Sequence, residues 1–150
     1  MTKILMVCLG NICRSPLAEG ILKHKLPKNR FVIESAGTSN YHIGELPDKR
    51  SIDIAKKYGI DITDQRGRQF TVSDFDKYDY IYVMDTSNYQ NVMRLARNLD
   101  DEKKVKLILD ELASDIINVP DPYYGGVSGF DDVFQLLNKA CDRIYDRLIE

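Results

Sequence analysis

The stretch Cys8-Leu9-Gly10-Asn11-Ile12-Cys13-Arg14-Ser15-Pro16 decides how the chain is read. Before it, Ile4-Leu5-Met6-Val7 is apolar and uncharged and stops at turn residues, the pattern of a buried strand. After it, Ser15 is a favoured N-cap, Pro16 suits the first helical position, and Leu17, Ile21 and Leu22 recur at helical spacing, so that an apolar stripe faces the sheet. Between strand and helix, the backbone N–H groups of the loop can converge on one point, backed by the positive end of the helix dipole. Such a loop binds anions.

Cys8 at the strand end and Arg14 near the helix start give the loop its chemistry. A thiol attacks as thiolate, and converging N–H dipoles with a guanidinium are the surroundings that favour one. The same donors bind a dianion, because Arg14 can grip two phosphoryl oxygens with a planar fork that Lys cannot imitate. Ser15 can cap the helix while giving its own proton to the Cys8 sulfur. Gly10 and Asn11 tolerate the left-handed backbone that a tight loop needs. Cys8 and Arg14 are therefore the catalytic candidates, with Leu9, Gly10, Asn11, Ile12, Cys13 and Ser15 binding phosphate. A Cys and an Arg at this spacing arise often by chance; between a strand and a Ser-Pro helix start the pair is specific.

At this point the sequence resembles the low-molecular-weight protein tyrosine phosphatases, whose signature is a Cys, five residues, an Arg, then Ser or Thr, close to the N-terminus. The resemblance runs through nearly the whole chain. It implies hydrolysis of protein phosphotyrosine and small aryl phosphates through a cysteinyl phosphate, with phosphotyrosine-containing proteins as partners, inorganic phosphate as product, and no cofactor or metal. It also supports a protective disulfide between Cys13 and Cys8 under oxidant.

With 150 residues, the chain is expected to form a single domain over 1–150. The balance of 21 basic against 23 acidic residues gives no reason to expect nucleic acid or a membrane as partner. Cys8, Cys13 and Cys141 lack the spacing of a disulfide framework or a zinc site, which points to a reducing cytoplasm. The N-terminal apolar run is too short for a secretory or lipidation signal and lacks a small-residue cleavage site. A monomer or weak dimer is expected.

Further along, Phe31-Val32-Ile33 begins a second strand ending at Ser35-Ala36-Gly37, and Thr38 to Pro47 reads as a loop. Its Tyr41 is assigned to a pocket above the anion loop, because relatives commonly carry an aromatic there. Asp48 to Tyr58 form a helix with Ile52 and Ala55 inward and Gly59 as its stop. Asp61 to Gln69 is charged and irregular, and its Arg66 and Arg68 either attract substrate or are simply solvated. Relatives often place a histidine here that supports the phosphate loop; Gln65 matches that position and would have to do so by donating a hydrogen bond. Tyr80 to Met84 is a third strand, ended by Asp85, which either caps the next helix or orients a neighbouring donor. That helix runs through Asn98, Val105 to Leu109 is a fourth strand, and a last helix starts near Phe130, with Cys141 in its core. Strands alternating with helices give an α/β fold: a four-stranded parallel sheet with helices on both faces and ligands at the carboxyl ends of the strands.

The remaining informative stretch is Pro120-Asp121-Pro122-Tyr123-Tyr124-Gly125-Gly126, where two prolines restrict the backbone around one carboxylate. The family's general acid sits in this Asp-Pro-Tyr-Tyr pattern, and Asp121 matches it. Displacing a phenol, whose oxygen has a pKa of about 10, is hard without such a donor. Tyr41, Tyr123 and Tyr124, with Leu9 or Ile12 below, are expected to make a slot for a phenyl ring. Three rivals use or imitate this fold. An arsenate reductase would need further cysteines between Cys13 and Cys141, which are absent. A protein-arginine phosphatase resembles a branch with Thr in place of Ile12 and no tyrosine pair. A non-catalytic phosphate-reading module would not keep Asp121.

Overall fold

The computed structural model describes residues 1–124 and 127–149, apart from the side chains of residues 124, 127 and 128. Four strands, β1 (Thr2–Cys8), β2 (Phe31–Gly37), β3 (Tyr80–Val83) and β4 (Val105–Leu107), form one parallel sheet in the order β2-β1-β3-β4. β1 is central, pairing Cys8 with Gly37 on one side and Val7 with Val83 on the other. A parallel central strand is covered on both faces, which is why Ile4 to Val7 is an unbroken apolar run rather than an alternating one.

On one face, α1 (Arg14–Lys25) lies between the sheet and α6 (Val127–Ile149), with α2 (Lys49–Lys57) packed on α6. Leu17, Ile21, Ile33, Met84, Phe130, Leu137 and Ile144 fill this side, and Cys141 is fully buried among them. On the other face, Phe75 in the short helix α3 (Asp74–Lys77) and Val92 in α4 (Thr86–Met93) cover Leu5, Val7, Ile81 and Val83.

Four sequence expectations need correction. α1 begins at Arg14 with Cys13 at its N-cap, so Ser15 lies inside the first turn rather than at the cap, and its hydroxyl meets the Cys8 sulfur. Pro16 still falls in the first turn, where no intrahelical N–H is missed. Nor does α1 carry a one-sided apolar stripe: every residue from Arg14 to Leu22 is buried, as suits a helix covered on two sides. The helix expected through Asn98 stops at Met93, and a separate α5 (Leu99–Lys104) follows. Asn98 is extended and its side chain accepts the Asp101 N–H, while Asp101 accepts the Arg97 N–H, so side chains take the bonds a continuing helix would need. Finally, β4 ends at Leu107; Ile108–Leu112 winds into a 3-10 turn that buries Ile108 and Leu109 and lets Glu111 meet Tyr82 and Lys106.

Candidate active site

β1 delivers Cys8 to the carboxyl edge of the sheet, and the loop to α1 is shaped by what holds its carbonyls. Cys8 O accepts from the Thr38 N–H at 2.9 Å, Leu9 O from Ser39 at 2.9 Å and Ile12 O from Asp48 at 2.7 Å. In a trans peptide the N–H opposes the C=O, so drawing these carbonyls outward turns the N–H edge toward the sulfur. The Asn11 N–H lies 3.3 Å from Cys8 Sγ, and Asn11 itself has φ of 57°. Gly37 makes room, since a Cβ there would sit 2.8 Å from Leu9 O.

The Asn11 side chain fixes the direction of the hydrogen bonds around it. Its amide Nδ2 donates to Ser15 Oγ and to Ser35 Oγ, each at 2.9 Å, while Oδ1 accepts from the Arg68 N–H at 3.1 Å. Each serine then has its own proton to give onward: Ser15 to Cys8 Sγ at 3.0 Å, Ser35 to Glu19 Oε1 at 2.7 Å. Burial pushes the Glu19 carboxyl up, against the pull of Lys23 and Ser35. Asn11, Ser15, Ser35 and Glu19 are all buried.

Arg14 is 3% exposed and enters the site from the first turn of α1. Its Nη1 donates to Asp85 Oδ2 at 2.7 Å and to the Val119 carbonyl at 3.0 Å. Asp85 also caps α4 through the Asn88 N–H at 2.7 Å, so both roles considered for it hold. Burial works against the Arg14 charge, but Cys8, Asp85 and Asp121 around it outweigh that and keep it protonated. Asp121 Oδ2 stands 3.7 Å from Arg14 Nη2, while Oδ1 accepts from the Tyr123 N–H at 3.0 Å. Its side chain is 36% exposed, an open carboxylate at the lip of a closed cradle.

Cys8, Arg14 and Asp121 share one cleft of about 260 Å³ with Leu9, Gly10, Ile12, Cys13, Tyr41, His42 and Tyr123. Every expected site residue whose side chain is described is thus brought together, except that Asn11 and Ser15 stand behind the wall. Tyr124 lies outside the described side chains. Cys13 is a buried thiol pushed up to about 12 by burial first and then by the negative charges of Asp48, Cys8 and Asp121. His42 escaped the sequence reading. Its ring lies over Gly10, where a Cβ would come 3.1 Å from His42 Cδ2, and its Nδ1 pairs with Glu45 Oε2 at 3.0 Å. Gly67 backs it: a Cβ there would lie 2.3 Å from the His42 carbonyl oxygen, so only glycine fits.

The second loop behaves differently from expectation. Gln65 does not reach the anion loop; its Nε2 donates to the Pro16 carbonyl at 3.0 Å. The support sought there comes instead from the Arg68 backbone on Asn11. Arg66 turns back onto the carbonyls of Thr63 and Gln65, and Arg68 pairs with buried Asp74. Neither guanidinium faces the cleft.

A buried cation, a sulfur met by the Asn11 N–H and the Ser15 hydroxyl, and an exposed acid on one aromatic-walled cleft suit an aryl ester of an oxyanion. The family model described as low molecular weight phosphotyrosine protein phosphatase matches residues 3–150. A low molecular weight phosphotyrosine protein phosphatase of Schizosaccharomyces pombe is 42% identical over 144 residues, covering 89% of this chain and 90% of the relative. The structure of a protein tyrosine phosphatase from Entamoeba histolytica, with Hepes in its active site, superposes with TM-score 0.92 at 35% identity, covering 99% and 97% of the two chains. That of a Drosophila arginine phosphatase superposes with TM-score 0.91 at 30% identity, covering 99% of each. By sequence over nearly its full length, and by a fold that follows those structures, the chain belongs to the low molecular weight phosphotyrosine protein phosphatase family.

Proposed function

We propose that this protein hydrolyses protein phosphotyrosine and small aryl phosphates, with Cys8 as nucleophile, Arg14 as phosphate clamp and Asp121 as general acid. The observation that carries the reading is the shared cleft: thiol, guanidinium and carboxylate open on one space walled by Tyr41 and Tyr123. The Cys8 thiolate attacks phosphorus in line, the S–P bond forms as the P–O bond to the phenol breaks, and Asp121 gives its proton to the departing oxygen. The loop N–H groups and Arg14 hold the equatorial oxygens as charge shifts onto them. Asp121, now a carboxylate, takes a proton from water, which attacks the cysteinyl phosphate and releases inorganic phosphate and thiolate. Arg14 is held by Asp85 and Val119 before any ligand arrives, so little reorganisation is needed.

A protein-arginine phosphatase is the second reading, supported by the fit to the Drosophila structure. Ile12 and Tyr123 on the cleft favour a phenyl ring instead. One preparation should be offered phosphotyrosine peptide, phosphoarginine and arsenate in parallel. Turnover of phosphotyrosine at least about tenfold faster in kcat/KM supports the first reading; preference for phosphoarginine reverses it. The setting that suits a free nucleophilic thiol is the cytoplasm, with phosphoproteins as substrates. Among the described residues, no helix is long and apolar enough to cross a membrane.

A further inference from the structure

Asp121 is exposed and does not hold itself. Its Oδ1 is tied to the N–H of Tyr123 while its Oδ2 stands 3.7 Å from Arg14 Nη2, so the direction of the carboxylate depends on where Tyr123 is held. The Tyr123 carbonyl is in turn held by Arg50 Nη2 at 3.0 Å, from α2, an element remote in sequence. The same guanidinium grips Asp48 with two nitrogens, Nε to Oδ1 at 3.0 Å and Nη2 to Oδ2 at 3.1 Å. Asp48 is also the residue whose N–H fixes the Ile12 carbonyl of the Cys8 loop. Beneath it, the Arg50 plane sits 4.6 Å from the centre of the fully buried Phe130 ring and 5.5 Å from that of Tyr123.

From these contacts we infer that Arg50 is a positioning residue, a latch that sets the Asp121 carboxylate over the cleft by clamping Tyr123 to the Asp48 anchor of the Cys8 loop. The inference deepens the proposed reaction and rests on Asp121 being its acid. Arg50 acts through Tyr123, gripping the carbonyl of the peptide that follows the one whose N–H holds Asp121. A planar fork is required because the carboxylate and the carbonyl must be gripped together, which an ammonium cannot do with the same geometry. The rest of the Cys8 cradle, built on Asn11, Ser15 and Ser35, is independent of it.

The test is a leaving-group series read as kcat/KM, which reports steps up to phosphoryl transfer, on Arg50→Met, Arg50→Lys, Asp121→Ala and the double variant Arg50→Met with Asp121→Ala. Arg50→Met should lose about tenfold with phenyl phosphate or phosphotyrosine peptide and less than about twofold with an acidic phenol as leaving group. Arg50→Lys should show the same signature at smaller size, which keeps the test open if the methionine variant folds poorly. In the Asp121→Ala background, Arg50→Met should change little, since there is no acid left to aim. Inhibition by inorganic phosphate should be unaltered. Uniform loss across leaving groups, full additivity with Asp121→Ala, or a matching loss of phosphate affinity would each overturn the latch. If Asp121→Ala itself shows no leaving-group dependence, it is the assignment of the acid that fails; if it does and Arg50→Met does not, only the latch fails.

Discussion

The loop around Cys8 and the turn carrying Asp121 face the same cleft, yet the first hangs on buried side chains while the second is exposed and held by its own prolines and by Arg50 of α2. Asn11, Ser15 and Arg14 are each at most 3% exposed, and the side chains Ser35 and Asp85 that hold Asn11 and Arg14 come from β2 and the end of β3. Asp121 sits between Pro120 and Pro122, with Tyr123 as its nearest donor. The difference follows from the work proposed for each. A site that receives negative charge must have its dipoles fixed beforehand, whereas an acid that exchanges protons with water in every cycle must stay wet. Damage to the first region should therefore be global, and damage to the second should depend on the substrate.

The sharpest break is Cys8→Ser, which should lower phosphotyrosine turnover by at least about 10⁴-fold while the protein still binds inorganic phosphate, read by steady-state assay and by calorimetry. Arg14→Lys should follow with about 10³-fold in kcat/KM for every leaving group, because the fork held by Asp85 and the Val119 carbonyl is lost. Asp121→Ala should cost about 10²-fold with phosphotyrosine and little with an acidic phenol; a uniform loss would erase the contrast between the regions. Asn11→Ala belongs to the buried side: it takes a donor from Ser15 and from Ser35, leaves the Arg68 N–H without its acceptor and puts alanine at positive φ. It should destabilise the fold by about 2–4 kcal/mol in urea denaturation.

The smallest effect separates the regions by sign. Burial raises the Glu19 carboxyl, so its proton binds more readily in the native state and its contribution declines as pH climbs from about 4.5. Asp48, on the latch side, is lowered by the hydrogen bond from Arg50, so its contribution is present above about pH 3.8 and fades as pH falls. Thermal unfolding of Glu19→Gln and Asp48→Asn across pH should show slopes that change in opposite directions; Asp48, being partly exposed, should be the weaker.

What could be read from sequence was whatever is local. The strand, loop and helix around Cys8, the alternation of strands and helices, and the Pro-Asp-Pro turn are each written within a dozen residues. The end of α4 was local too: Asn98 followed by Asp101, with acids first and Lys103 and Lys104 last, is the pattern of a new helix start. What was not legible depends on distant contacts. Nothing near His42 announces that Gly67 must be glycine to admit its carbonyl, and nothing near Arg50 announces Tyr123. Ser15 misled because a hydroxyl beside a helix start serves equally as cap or as donor to sulfur, and only the Asn11 amide decides between them.

Gly37 lies at the end of β2, has no side chain and takes no part in the chemistry, yet the ceiling above it is the Leu9 carbonyl and the Asn11 amide. A methyl group there would press on the turn from below, displacing the reactive sulfur's surroundings without touching a single titratable group. The molecule thus has a silent point of failure, where the mildest alteration of a β-strand would be mistaken in an assay for an injury to the nucleophile.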